Sequence, residues 1–226
     1  MLNASIRAII FDMDGVIIDS EHVHHDLERQ MFELLGIRVT RAEHASFTGQ
    51  TVWTMWSALK ERFGLNQSVE ELRMMKKQLF YKELASPDCR VSLIDGVVDF
   101  IADARHRGLR LAVASSSSQL HVEYMVDRFG LSAYFDGLFG GDLVVHSKPA
   151  PDLFLFAAEQ LGVEPSGCLV IEDSANGVRA GKAAGMTVVG FRNPNSGEQD
   201  LSLADFVVDN YLDFPYINGM QKTSDL

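Results

Sequence analysis

Asp12 and Asp14 stand one residue apart at the end of the apolar run Ala8-Ile9-Ile10-Phe11. Such a run reads as a buried strand, and a buried strand that ends in carboxylates needs a chemical reason. Two later apolar runs also end in reactive groups: Leu109–Ala114 runs into Ser115, and Cys168–Ile171 into Glu172 and Asp173. Lys148 lies between them, in His146-Ser147-Lys148-Pro149, ahead of a helical pattern. Several carboxylates brought together without compensation raise one another's pKa values. A hard divalent cation resolves that repulsion, and Mg²⁺ prefers a few carboxylates plus waters. Ser115 and Lys148 are then free to hold a phosphate. A metal-neutralised aspartate is able to attack phosphorus, and a second carboxylic acid two residues away is able to protonate the leaving oxygen and then activate water.

Only a fold brings such distant residues together, and the surrounding pattern supplies one. Ile6–Phe11, Leu109–Ala114, Cys168–Ile171, Thr187–Phe191 and a short Phe206–Val208 read as strands. Helical spacing separates the later ones, over Asp95–Arg107, Gln119–Phe129, Pro151–Leu161 and Ala175–Ala184. This alternation predicts an α/β protein: a Rossmann-like parallel sheet with helices on both faces. In an open parallel sheet, ligands bind beyond the carboxyl ends of the strands, which is where the candidate residues fall. Between the first strand and the rest, Ser20–Leu35, Thr51–Phe63 and Val69–Leu84 read as helices with no convincing strand. The expected organisation is a core of residues 1–19 and 91–226, with residues 20–90 as an inserted helical domain. The tail from Asn218 to Leu226 is polar and is expected to fray.

The chain has 226 residues, 46% of them hydrophobic, enough for a core domain plus a smaller insert. Lys and Arg number 20 against 31 Asp and Glu, a net charge of −11, which disfavours nucleic-acid and acidic-membrane partners. Cys89 and Cys168 show neither metal-ligand spacing nor a disulfide framework. Residues 1–7 lack the apolar stretch of a signal peptide, and no apolar run approaches the ~18 residues of a membrane span. A cytoplasmic monomer acting on a small molecule is the expectation.

At the residues named above the sequence resembles the haloacid dehalogenase-like superfamily of phosphotransferases. The resemblance runs from about Ile6 to about Asp209, through Asp12-Met13-Asp14-Gly15-Val16, Ser115, Lys148 in SKPAPD, and Glu172-Asp173 in VIEDSANG. It implies that Asp12 is a nucleophile and Asp14 a general acid/base. It also implies Mg²⁺ held by the Asp12 and Asp173 side chains and the Asp14 backbone carbonyl, with Glu172 either a ligand or a support. Ser115, the Ser116 amide and Lys148 would hold phosphate, and residues 20–90 would be the cap over the site. Within the superfamily the chain looks like the branch of small sugar-phosphate phosphatases and β-phosphoglucomutase. His24 falls where the mutase keeps a histidine, and Ser20-Glu21 follows a form common in the phosphatases; both Ser20 and His24 are candidate substrate contacts. The mutase's cap arginine aligns near Val52, where no arginine stands, so a Mg²⁺-dependent phosphatase acting on a small phosphate monoester is expected ahead of a mutase or a non-catalytic binding module.

Three features have blander readings. Gly177, Gly181 and Gly185 mimic part of a P-loop, but Ala183 replaces the required Ser or Thr, so close helix packing is expected. His22, His24 and His25 are read as hydrogen-bond or proton partners rather than a zinc site. Trp53, Met55 and Trp56 are read as helix packing as readily as a ligand box. Ser117 or Ser118 is expected to cap the following helix.

Overall fold

The computed structural model describes residues 6–47 and 52–214. The expected start of a helix at Thr51 and the tail from Asn218 lie outside the described residues. In chain order the strands are β1 (Ala8–Phe11), β2 (Ile18–Asp19), β3 (Ser92–Leu93), β4 (Arg110–Ser115), β5 (Gly137–Gly140), β6 (Cys168–Glu172), β7 (Thr187–Phe191) and β8 (Phe206–Val208). The helices are α1 (Glu21–Leu34), α2 (Arg41–Ala45), α3 (Val52–Phe63), α4 (Val69–Leu84), α5 (Val97–His106), α6 (Gln119–Arg128), α7 (Asp152–Leu161) and α8 (Ala175–Ala183). By contact the chain divides into two compact units. One comprises Met1–Ile18, Leu93–Pro194 and Gln199–Leu226; the other comprises Asp19–Ser92 with Asn195–Glu198.

The first unit is built on a six-stranded sheet of order β5-β4-β1-β6-β7-β8 with every pairing parallel. All four residues of β1 are buried, as expected of a central strand covered on both faces. Alternation decides which face each side chain serves. Ala8 and Ile10, with Ala112, Ala114, Cys168 and Val170, join a core cluster that includes Leu153, Phe154 and Ala157 of α7 and Val178 and Ala180 of α8. Phe11 faces the other way and packs edge-on against Phe100 of α5, ring centroids 6.0 Å apart. The structure is thus α/β, with helices on both faces of a parallel sheet.

Strand β5 has no counterpart among the expected strands. It is four residues long, begins and ends in glycine, and pairs with β4 alone. Glycine at both ends resembles turn punctuation, so an edge strand of this composition carries little local signal. The α8 glycines do serve packing: a Cβ at Gly181 would lie 2.7 Å from Val188 Cγ2 on β7.

The second unit is helical. Its core gathers Met31 and Phe32 of α1, Met55, Trp56 and Leu59 of α3, and Leu72 of α4. Trp56 and Met55 are therefore packing residues, while Trp53 is exposed. Helix α4 opens on a capping box in which the Ser68 hydroxyl accepts from Glu71 N at 3.2 Å and Glu71 Oε2 accepts from Ser68 N at 2.7 Å. The chain leaves the first unit along β2 and returns along β3, and these two short strands pair with each other.

Candidate active site

Register brings the strand-end candidates of the first unit to one edge of the sheet. Phe11 of β1 lies opposite Val113 of β4 and Ile171 of β6, so the residues that follow each strand emerge side by side. Asp12 continues β1, its amide donating to Ile171 O at 2.9 Å, and is 6% exposed. Ser115 is the last residue of β4 and Glu172 the last of β6, each 2% exposed or less, one position further along than the sequence pattern indicated.

Lys148 ties these ends together. Its ammonium donates to Asp12 Oδ1, to Glu172 Oε1 at 2.7 Å and to Ala114 O at 2.9 Å, with the side chain almost wholly buried. Burial disfavours the charged lysine, but the facing carboxylates of Asp12 and Glu172 outweigh it and hold Lys148 above the ordinary lysine value. Burial acts on Asp12 in the opposite sense. Desolvation, reinforced by Glu172 and Asp14 and opposed by Lys148, pushes the Asp12 carboxyl up to about 7.

Both oxygens of Glu172 are engaged. Oε1 accepts from Lys148, and Oε2 accepts from Ser174 N at 2.9 Å and Ser174 Oγ at 2.8 Å. Ser174 then caps α8, its hydroxyl accepting from Gly177 N at 3.0 Å. The helix can approach because residue 177 is glycine: a Cβ there would fall 1.7 Å from Glu172 Oε1. Asp173, 8% exposed, occupies the turn between β6 and Ser174.

Asp14 is half-buried on the turn after β1, where Gly15 takes φ +79, a conformation that favours glycine. Ser117 Oγ donates to Asp14 Oδ2 at 3.5 Å. Ser115 Oγ accepts from Ser117 N at 3.1 Å, and Ser116 is exposed, its hydroxyl 3.3 Å from Ser147 Oγ. The expected serine cap of α6 is not formed. Ser118 occupies the N-cap position, but its side chain makes no capping bond, and Asp142 Oδ1 accepts from Gln119 N at 2.7 Å instead. A carboxylate is the stronger acceptor for a helix-end amide, and the β5 edge strand, absent from the expected pattern, delivers it there.

Ser20 and His24 belong to the second unit. Ser20 is buried and precedes α1; the His24 ring stacks on Phe80 of α4 with centroids 4.5 Å apart. The neighbouring histidines diverge. His22 Nε2 lies 3.1 Å from Arg90 O, while His25 Nδ1 lies 3.9 Å from Glu28 Oε2. His25, Glu28 and His44 form a group of metal-ligand composition that the sequence pattern did not single out. Glu28 is already balanced, however: His44 Nε2 lies 2.6 Å from Oε2 and Lys76 Nζ donates to Oε1 at 2.5 Å. Burial alone would raise Glu28, but His44 and Lys76 overcome it and bring the carboxyl from 4.5 down to about 2. A depressed folded value means that this group contributes stability above pH 4.5 and loses it as pH falls towards about 2. Glu28→Gln leaves the half-buried Lys76 ammonium without its counter-charge and is expected to cost about 1–3 kcal/mol, read by denaturant unfolding at pH 7. The loss should shrink in acid, where the wild type forfeits the same pair.

Comparison with known proteins gives the family. A family model described as haloacid dehalogenase-like hydrolase matches residues 6–185. Fructose-1-phosphate phosphatase YqaB of Escherichia coli (strain K12) is 32% identical over 184 residues, which is 81% of this chain and 95% of that protein. The crystal structure of a CbbY mutant from Rhodobacter sphaeroides in complex with xylulose-(1,5)bisphosphate superposes with a TM-score of 0.75 at 26% identity, covering 93% of this chain and 96% of that one. A β-phosphoglucomutase from Clostridium difficile gives a TM-score of 0.70 at 26% identity, covering 95% and 96%. This chain belongs to the haloacid dehalogenase-like hydrolase family, in its sugar-phosphatase and β-phosphoglucomutase-like branch, and is a phosphoric monoester hydrolase.

Proposed function

We propose that this protein is a Mg²⁺-dependent phosphatase that hydrolyses a small sugar phosphate through an aspartyl phosphate on Asp12. The observation that carries the proposal is the Lys148 ammonium bonded to both Asp12 and Glu172 at the carboxyl edge of the sheet. Relatives support the substrate class: one is named for fructose 1-phosphate, and one was crystallised with a pentulose bisphosphate.

The donor set fits a hard cation. Asp12, Asp14, Glu172 and Asp173 follow neighbouring strands, and Lys148 neutralises one of their charges; burial, with Glu172 and Asp14 beside it, raises Asp12 to about 7, and a cation would relieve that. The Asp12 and Asp173 carboxylates and the Asp14 carbonyl would hold Mg²⁺, while Glu172, whose oxygens are both occupied, would position Lys148 and the Ser174 turn. When bound, the ion neutralises these carboxylates and screens the charge of the phosphoryl group. Ser115, the Ser116 amide and Lys148 hold the non-bridging phosphate oxygens. An Asp12 oxygen attacks phosphorus, the bond to the sugar oxygen breaks, and Asp14 gives that oxygen its proton. Asp14, now a carboxylate, takes a proton from water as the water attacks phosphorus. The Asp12–phosphorus bond breaks and inorganic phosphate leaves. Residues 20–90 would act as the cap that excludes other water and selects the sugar.

Phosphate release from a panel of sugar phosphates and other monoesters, with Mg²⁺, tests this. EDTA should abolish release and Mg²⁺ restore it, with Ca²⁺ a poor substitute because its looser, higher coordination misplaces the attacking oxygen. Full turnover by rigorously metal-free protein would refute the metal requirement, and isomer formation in place of phosphate release would establish a mutase.

A further inference from the structure

Asp14 rides on the loop between β1 and β2, and that loop satisfies its own amides. Val16, Ile17 and Ile18 direct their N–H groups to Met13 O at 3.4, 2.9 and 3.0 Å, and Gly15 N donates to Ile18 O at 2.8 Å. The carbonyls of Gly15 and Val16 bond elsewhere. Asn193 Nδ2 donates to Gly15 O at 3.1 Å and the Tyr211 hydroxyl to Val16 O at 2.8 Å, across 178 and 195 residues of chain. Asn193 is 4% exposed and Tyr211 2%. Burying an amide and a phenol is costly unless each makes its bond, so their presence needs an explanation beyond space filling. The Tyr211 ring packs with Phe100, Phe191 and Phe214, centroids 5.0, 5.0 and 5.4 Å away. A phenylalanine would satisfy that packing equally; what distinguishes tyrosine is the bond to Val16. Burial, with the charges of Asp173 and Asp12, keeps the phenol well above its ordinary value, so it remains a donor.

We propose that Asn193 and Tyr211 are positioning residues that grip the Gly15–Val16 backbone from outside the loop and thereby aim the Asp14 carboxyl for proton transfer. The inference rests on the reading of Asp14 as the proton shuttle. Neither residue touches the reacting atoms in this scheme; each acts through the one carboxyl that the loop carries.

The test uses Tyr211→Phe and Asn193→Ala, each alone and combined with Asp14→Asn, with thermal unfolding recorded for every variant. With Mg²⁺, turnover of an alkyl phosphate, whose leaving oxygen needs a proton, should fall about tenfold or more in each single variant. Release of p-nitrophenolate in the first turnover should be nearly unchanged, with a burst ahead of a slower steady state. In the Asp14→Asn background neither substitution should cause further loss, because both act through the group already removed. Losses that multiply with that of Asp14→Asn, equal losses on the two substrates, or wild-type turnover by folded variants would each overturn the proposal. So would loss of the fold in both variants, which would make these bonds purely structural. If Asp14→Asn itself turns over the alkyl phosphate normally, the role of Asp14 falls first, and this outcome is distinguishable from failure of the positioning claim.

Discussion

Asp12→Asn is expected to form no phosphoenzyme and to lose activity by a factor on the order of 10⁴–10⁶, the scale seen when a nucleophile is removed from a preorganised site. Asp14→Asn should fail differently. It leaves Asp12, bonded through its amide to Ile171 O and through its carboxylate to Lys148, in place. What it removes is the acid for the leaving oxygen and the base for water. With p-nitrophenyl phosphate, whose leaving group needs little acid help, Asp14→Asn should phosphorylate itself and then hydrolyse slowly. Intact-mass spectrometry of rapidly quenched reactions should therefore find the added phosphoryl group on Asp14→Asn and none on Asp12→Asn. An adduct on Asp12→Asn would place the nucleophile elsewhere and dismantle the assignment.

Lys148→Ala is expected to lower kcat by ~10²–10³-fold, more than it raises KM. The lysine is held by three acceptors, Asp12, Glu172 and Ala114 O, before any substrate arrives, so its charge requires no reorganisation during reaction. That charge lies beside the oxygen expected to attack, where the transferring group and the nucleophile meet as anions. Normal kcat with a raised KM would show that Lys148 only helps binding. The variant also leaves Asp12 and Glu172 facing each other, so its thermal stability should depend on added Mg²⁺ more steeply than that of the wild type.

What could be read from the sequence, and what could not, divides along a physical line. The placement of the acid pair, Ser115, Lys148 and Glu172-Asp173 was legible because each follows an apolar run or, for Lys148, stands just before a proline-marked helix entry, and sheet order brings the strand ends together. The α8 glycines were legible as packing because Ala183 stands where the phosphate-loop pattern requires Ser or Thr. Strand β5 was not, since GLFG carries its pairing in the backbone and its glycines in turn-like positions. Asp142 was missed with it, and so the α6 cap was assigned to a serine. Asn193 and Tyr211 gave no signal at all: their partners are carbonyls, which every residue possesses, far away in the chain. The Glu28–Lys76 pair was hidden likewise, its members 48 residues apart and individually ordinary.

The short pairing of β2 with β3 bears on how the chain folds and how it tolerates exchange. Residue Ala8 must find Arg110, yet the intervening chain returns to within one strand spacing of where it left, with Ile94 N bonded to Ile17 O at 2.9 Å. For a floppy loop of that length, closure would cost about 2–3 kcal/mol more than for a six-residue turn. A helical segment whose two ends pair in a closed ladder offsets part of that difference. The junction therefore behaves as a clasp. A helical segment of different length is expected to be accepted here without moving the sheet strands out of register, so long as it also begins and ends on adjacent strands.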